Sequence, residues 1–151
     1  MTAWSEKWRR KAVDKALNYL SLARKAGKAE LGEEPVGAAA RALHAHLIIV
    51  AGDASDHTWR RAKSFAAGTN QQCVRLQCSK DEMGVAIGRS SLAIAAITDA
   101  GLALALVQSL NQPEKHKAVL DVLQEKVTKL QQRQKEAKAH LRNVRKGKVK
   151  K

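Results

Sequence analysis

The sequence predicts an α/β protein: a three-layer α/β/α sandwich around a mixed sheet of about four strands, followed by a C-terminal helix and a basic tail. Short apolar runs rich in β-branched residues, such as 46–51 and 92–98, have the length of strands buried on both faces. Segments with apolar residues three and four positions apart alternate with these runs, and short connections join them. Such alternation places helices on both faces of one sheet.

The predicted elements follow one another along the chain. Residues 5–26 are expected to form an amphipathic helix that ends at Gly27, and residues 28–31 a short strand. Pro35 suits the first turn of the next helix, and Ser55 can cap the one after it. The remaining elements are helix 35–44, strand 46–51, helix 55–67, strand 73–77, helix 80–88, strand 92–98 and helix 99–110.

A last helix is predicted from Pro113, with apolar residues at alternating steps of three and four and one polar member. This heptad seam consists of Leu120, Leu123, Val127, Leu130, Gln134, Ala137 and Leu141. Three arrangements are open: a weak homodimer through residues 120–141, packing back on the domain, or a basic arm that lies along RNA. We expect the basic-arm role whatever the helix packs against. Residues 142–151 have too little apolar surface to fold alone and are predicted to be disordered.

The formal net charge of +14 is concentrated at the two ends of the chain. Residues 1–28 contain eight Lys/Arg and two Asp/Glu. Residues 29–112 contain seven Lys/Arg and eight Asp/Glu, and residues 113–151 contain thirteen Lys/Arg and four Asp/Glu. This distribution predicts a near-neutral folded domain with basic extensions that attract a polyanion. Nucleic acid is the favoured polyanion, and an anionic membrane surface is the weaker alternative. The predicted organisation is a basic, tryptophan-containing arm at 1–12, the domain at 13–111, the basic helix at 112–141 and the tail at 142–151.

Several classes of function are disfavoured by the sequence. It contains neither an apolar leader nor a run of roughly 20 apolar residues, so we expect no membrane partner and a cytoplasmic location. Cys73 and Cys78 lack a second pair and a suitably spaced His, which indicates free thiols and no metal site or cofactor. Ser55-Asp56-His57 has the residue types of a hydrolytic triad, but adjacent residues cannot converge on one reacting atom. We therefore expect no enzymatic activity.

Five blocks of sequence together resemble the kink-turn-binding ribosomal proteins, the L-seven-Ae/L-thirty-e group, and in particular its small bacterial members. They are LARKAGK (22–28), Gly32 at the opening of the second helix, AHLIIVAGDAS (45–55), SKDEMGVAIGR (79–89) and AIAAITDAG (93–101). The resemblance covers residues 13 to about 110. It implies an α/β/α sandwich that binds RNA, typically at a sharply bent kink-turn, without catalysis.

The resemblance also implies where RNA is contacted: the turn before the second helix, the start of that helix, and the loop after the fourth helix. In this sequence those positions are Lys28, Gly32, Glu33, Glu34, Arg89, Ser90 and Ser91. Typical members have Gly-Thr-Asn-Glu at the helix start and a Lys one turn later. Here Glu34 replaces the Asn, Pro35 the Glu and Ala38 the Lys.

Two interpretations of the acidic helix start remain open. Glu33 and Glu34 stabilise the positive end of the helix dipole by about 0.3–1 kcal/mol each, and this alone explains them as a cap. The same carboxylates repel phosphate but can accept hydrogen bonds from the amino groups of guanine or cytosine. For the loop, Arg89 can bind phosphate in a bidentate manner and the serines can donate. The alternative is an ordinary helix-ending turn, and we favour RNA contact because the family that the sequence resembles uses this loop.

The basic ends complete the predicted interface. Trp4 and Trp8 precede a cationic cluster and either stack on unpaired bases or, as we favour, dock on the domain. Arg142, Arg145 and Lys146 are expected to contact the RNA backbone. The sequence thus predicts a ribosomal-protein-like RNA-binding protein whose partner is ribosomal or other structured RNA, and by extension the ribosome. The alternative is a protein–protein assembly module that has lost RNA readout and oligomerises through the heptad helix.

Overall fold

A computed structural model of the protein describes residues 6–145 of the 151-residue chain. Within that range the elements are α1 (Glu6–Lys25), β1 (Ala29–Leu31), α2 (Glu33–Arg41), β2 (Leu47–Val50), α3 (Asp56–Ala66), β3 (Gln72–Arg75), α4 (Lys80–Ala86), β4 (Ile94–Ile97), α5 (Ala100–Ser109) and α6 (Lys117–Arg145). The predicted α/β class, the mixed sheet of four strands and the C-terminal helix are confirmed.

The sheet has the strand order β1-β4-β2-β3. β4 is antiparallel to both β1 and β2, whereas β2 and β3 are parallel. Every residue of β2 and β4 is buried, which explains why both strands have continuous apolar sequences. These directions bring the C-terminal ends of β1, β2 and β3 and the N-terminal end of β4 to the same side of the sheet. We call this side, formed by residues 32–35, 51–55, 76–80 and 88–93, the loop edge.

Helices cover both faces of the sheet. α2 and α3 pack on one face, while α1, α5 and the first part of α6 pack on the other, and α4 lies beside α1. The largest fully buried side chains join the layers into one core and include Leu20, Leu47, Ile48, Ile49, Leu76, Met83, Ile97, Leu106 and Leu123. With only 3% aromatic residues in the chain, aliphatic side chains supply nearly all of this packing.

Side-chain caps begin three of the helices. Ser55 accepts from the Thr58 backbone N–H at α3, and Asp99 accepts from the Leu102 N–H at α5. At α4, Ser79 and Glu82 form a reciprocal capping box. α2 is different: it begins at Glu33, two residues before the predicted start at Pro35, and follows Gly32, whose φ of 98° suits glycine. Pro35 occupies the third helical position, where a backbone N–H would have no intrahelical acceptor in any case.

The last helix divides into a packed half and an exposed half. α6 begins at Lys117, four residues after Pro113, and Leu123 is fully buried against the core. From Thr128 to Val144 every side chain is exposed. The packed domain therefore extends past Asn111, because the first heptads of the seam belong to the core. Trp4, Lys146 and the rest of the predicted tail lie outside the described residues.

Gly84 on α4 allows close packing of the loop that precedes β4. A Cβ atom at this position would lie 2.5 Å from the Ser91 backbone nitrogen and 2.6 Å from its Cα. We expect Gly84→Ala to lower the free energy of unfolding by about 1–3 kcal/mol, because this overlap outweighs the better helix propensity of alanine. Urea unfolding measures the change. Val85→Ala, at an exposed neighbour, should change it by less than about 0.5 kcal/mol, and equal stability of the two variants would contradict this account.

Candidate nucleic-acid interface

The loop edge brings together segments that are far apart in the sequence. The Gly32 N–H donates to the Ile94 carbonyl at 3.0 Å, and the Ala51 N–H donates to the Ala93 carbonyl at 2.9 Å. The Leu92 N–H donates to the Lys80 carbonyl at 3.0 Å. These hydrogen bonds hold the starts of α2 and α4 and the end of β2 beside the segment that leads into β4. Six of the predicted site residues consequently lie on this edge: Gly32, Glu33, Glu34, Arg89, Ser90 and Ser91.

The start of α2 combines uncapped backbone groups with two carboxylates. The N–H groups of Glu33 and Glu34 lie in the first turn, where no intrahelical acceptor is available, and no side chain caps this helix. Glu33 accepts a hydrogen bond from Arg61 Nε at 3.3 Å, which links α2 to α3. Glu34 is exposed and makes no ion pair or hydrogen bond with any described residue. The two carboxylates therefore differ: Glu33 is tied to a neighbouring helix, and Glu34 is available to a ligand.

The loop after α4 supplies an exposed cation to this edge. The Arg89 N–H donates to the Gly84 carbonyl at 2.8 Å, and Gly88 has a φ of 78°, so the helix ends in a glycine turn. The side chains of Arg89, Ser90 and Ser91 are exposed and make no hydrogen bond within residues 6–145. A guanidinium and two hydroxyls are thus presented together, a combination that suits phosphate oxygens.

Lys28 does not lie with the other predicted site residues. Its carbonyl accepts from the Thr98 N–H at 2.8 Å, at the side of the sheet opposite the loop edge. The three residues of β1 separate Lys28 from Gly32 by about 13 Å at the usual rise of a strand. One compact ligand group cannot contact both residues.

The first cations of α1 have structural partners. Arg9 pairs with Glu6 and donates to the Gln77 carbonyl, while Arg10 pairs with Glu82 on α4. The backbone N–H of Ser79 and then Arg10 lower the pKa of the Glu82 carboxyl. These contacts hold α1 against the loop edge, so Arg9 and Arg10 contribute less exposed charge than the sequence indicates. The contacts with Gln77 and Glu82 leave no local signal in the sequence, because these partners lie 68 and 72 residues further along the chain.

Arg60 is a loop-edge candidate that the sequence reasoning did not select as a binding residue. It lies just over one turn into α3, is exposed, and makes no ion pair among the described residues. Its neighbour Trp59 is half-buried between the cations of Lys63 and Arg75, which lie 5.6 and 5.7 Å from the ring centroid. The spacing of Arg60 from the Ser55 cap was the available signal, since that spacing places it near a helix start.

The C-terminal part of α6, residues 128–145, leaves the domain on the side opposite the loop edge. We call this segment the α6 arm. Lys126 Nζ donates to the Asn70 carbonyl at 2.9 Å and lies 3.3 Å from His46 Nδ1. Asn70 and His46 precede β3 and β2, so this anchor marks the opposite edge. The helix continues for about 28 Å beyond Lys126, and the structure thus places Arg142 at its far end, remote from Arg89 and Glu34.

The two thiols and the Ser55 hydroxyl lie in structural surroundings. Burial raises the pKa of the Cys78 thiol to about 12 and also raises that of Cys73, so neither thiol is an activated nucleophile. The Ser55 hydroxyl is engaged in its cap. Within residues 6–145 no cluster of three or more His, Cys, Asp or Glu could hold a metal ion. In the same range, no helix has both the length and the apolar character needed to cross a membrane.

Comparison with known proteins identifies the fold. No protein-family model matches the sequence, and no curated protein matches it significantly. A solved structure of a Bacillus halodurans protein of unknown function is 26% identical, with 65% of this chain and 98% of that chain covered and a TM-score of 0.60. The Giardia lamblia 15.5kD RNA-binding protein is 18% identical, with coverages of 72% and 89% and a TM-score of 0.57. The chain shares its fold with both proteins.

The α6 anchor should make stability depend on pH. Burial, and then Lys126, lower the pKa of His46, with a smaller effect of His44 in the same direction and an opposing effect of Asp99. The folded state therefore favours neutral His46. The contribution of neutral His46 to the free energy of unfolding is fully present above its unfolded pKa of about 6.5. This contribution is lost as the pH falls towards the lower pKa of His46 in the folded state.

We expect the melting temperature to fall between pH 7.5 and pH 5.5, and to fall less in His46→Gln. Buried His116, whose pKa is also lowered, contributes with the same sign and leaves a residual dependence. Thermal unfolding at both pH values measures the effect, with His57→Gln at an exposed position as the control. Identical pH dependence in wild type and His46→Gln would refute the role of this anchor.

Proposed function

We propose that this protein is a non-enzymatic RNA-binding protein of the kink-turn-binding ribosomal-protein group, and that structured RNA, such as ribosomal RNA, binds at the loop edge. The observation that carries the proposal is the juxtaposition of the uncapped α2 start with the Arg89-Ser90-Ser91 loop, held by the Gly32–Ile94 hydrogen bond. The sequence resemblance assigned RNA contact to these same two segments. The shared fold with a protein named as RNA-binding supports the proposal.

The chemistry of the loop edge suits recognition of a folded RNA by shape and base edges. Arg89 and the two serines can bind phosphate oxygens, which positions the RNA without reading its sequence. The N–H groups at the α2 start add further donors with the positive end of the helix dipole. Glu34 can accept from an exposed amino group of guanine or cytosine but repels phosphate. The edge therefore favours an RNA that presents a base edge, and not a phosphate, to α2.

The α6 arm would add affinity that does not depend on sequence. Residues 129–151 contain ten Lys/Arg and one acidic residue, Glu136. Cations of this kind release counterions from an RNA backbone, so their contribution falls steeply with salt concentration. Because the arm and the loop edge lie on opposite sides of the domain, an RNA that reaches both must extend along the protein.

A second function is favoured by the apolar seam of the α6 arm. Leu130, Leu141 and Val144 are 40%, 57% and 50% exposed and lie on one face of the helix, as in a coiled coil. However, two such arms would each bring six Lys/Arg and a single Glu over residues 129–145. Added salt screens this repulsion, so self-association should strengthen or stay constant with salt, whereas RNA binding should weaken.

Glu34→Asn should strengthen binding to a kink-turn RNA by about fivefold, because it removes a carboxylate from phosphate range and keeps an acceptor. Fluorescence anisotropy with a labelled kink-turn RNA measures the dissociation constant. Glu125→Gln, at an exposed carboxylate on α6, is the matched control and should have less effect. If Glu34→Asn does not alter binding while the RNA is still bound, the α2 start is not part of the interface.

A chain that ends at Thr128 should remain folded, because it keeps buried Leu123 and the Lys126 anchor. We expect its RNA affinity to be weaker by about tenfold or more at 50 mM salt. The slope of log K against log salt should also become shallower, by about 0.7–0.9 for each phosphate contact that is lost. Titrations between 50 and 200 mM salt test this. A truncated chain with the affinity and salt dependence of the full chain would show that the arm does not contact RNA.

A further inference from the structure

A groove runs between α1 and α5 on the face of the domain away from α2 and α3. It consists of two adjoining cavities of about 630 and 470 Å³ that share Lys15, Gln108 and Ser109. Because Arg9 ties the start of α1 to the Gln77 carbonyl, the groove begins beside the loop edge. Neither the sequence resemblance nor the loop-edge interface accounts for it.

The α1 side of the groove combines aromatic and cationic side chains. Residues three and four positions apart share one face of a helix, and on α1 this face presents Trp8, Lys11, Lys15, Tyr19 and Leu22. Trp8 is 56% exposed, and Lys11 Nζ lies 5.6 Å from its ring centroid. The α5 side contributes polar groups from Gln108, Ser109 and Asn111.

The groove keeps its positive charge. Lys11 and Lys15 form no salt bridge with any described residue, and the described residues that line the two cavities include no carboxylate. The nearest acidic residues of α1 are engaged elsewhere, since Glu6 pairs with Arg9 and Asp14 with Arg10. Unlike those two arginines, the groove lysines are available to an anionic ligand.

From these features we infer that the α1–α5 groove binds unpaired nucleotides of single-stranded RNA. Bases stack on exposed aromatic rings, phosphates pair with lysines, and amide side chains hydrogen-bond to the edges of splayed bases. The groove offers all three on one track: Trp8 for a base, Lys11 and Lys15 for phosphates, and Gln108 and Asn111 for base edges. The inference rests on the proposed function in that the ligand is RNA, but it concerns a different surface and an unpaired strand.

The test uses the full-length protein and fluorescein-labelled oligonucleotides of eight uridines or eight adenosines. Fluorescence anisotropy at 50 mM salt measures the dissociation constant. Trp8→Ala should weaken binding by about 5- to 100-fold, the range measured for loss of one stacked base, while Trp8→Phe should retain most of it. Lys11→Gln with Lys15→Gln should weaken binding and reduce the salt slope by about one to two. The matched control is Arg24→Gln with Lys25→Gln, which removes the same charge from the exposed end of the same helix.

The outcomes separate this inference from the proposed function. The groove inference is overturned if Trp8→Ala binds the oligonucleotides as the wild type does. It is also overturned if the Arg24/Lys25 control loses as much affinity as the Lys11/Lys15 variant. In either case, kink-turn binding measured in parallel tests the loop edge separately. Trp8-dependent oligonucleotide binding in a protein that ignores kink-turn RNA supports the groove and overturns the loop-edge proposal. If the wild type binds neither RNA, both are overturned. If the wild type binds oligoglutamate, if this binding depends on Trp8, and if neither oligonucleotide binds, then the groove is a protein-binding site and the inference is wrong.

Discussion

The position of β4 between β1 and β2 is the constraint on which the candidate interface depends. Four buried residues, Ile94–Ile97, hydrogen-bond on both sides, and their antiparallel direction sets the start of β4 beside the ends of its neighbours. Because β4 is buried on both faces, a one-residue slip in this register would exchange isoleucine and alanine positions against the helices on each side, and close packing disfavours the slip. The α4–β4 loop and the start of α2 are adjacent because of this register, and not because of any attraction between their side chains.

The same constraint separates the two basic ends of the chain. α1 begins at the loop edge, where salt bridges to Glu6 and Glu82 absorb part of its charge and the remaining lysines line the α1–α5 groove. α6 runs antiparallel to α5 and leaves at the opposite edge, past the Lys126 anchor. In the proposed function, recognition and non-specific attraction therefore act at different places on the molecule. An RNA held at both would be oriented along the protein, whereas one held at a single end would not.

How far the sequence predicts this arrangement depends on the range of the interactions involved. Apolar periodicity and local caps identify every helix and strand, because these signals arise within a few residues, as with Ser55 and α3. The heptad seam of α6 is equally clear, but periodicity does not say what covers it, and buried Leu123 belongs to the core of the same chain. The family resemblance grouped Lys28 with Gly32, although an extended strand carries them to opposite edges of the sheet. Pairings such as Arg10 with Glu82 connect distant segments and leave no local signal.

The two carboxylates at the α2 start, in a strongly basic protein, follow from the same geometry. Glu33 is engaged within the fold, since its contact with Arg61 joins α2 to α3 on one face of the sheet. This pairing occupies Arg61, whereas Arg60 and Arg89 are exposed and form no ion pair among the described residues. A surface that carries the carboxylates of Glu33, Glu34 and Asp53 among a few cations and uncapped N–H groups attracts a uniform phosphate backbone only weakly. In the proposed function, the binding energy of the loop edge therefore comes from a folded RNA whose exposed base edge matches these donors and acceptors. The attraction that does not depend on RNA sequence is assigned to the α6 arm.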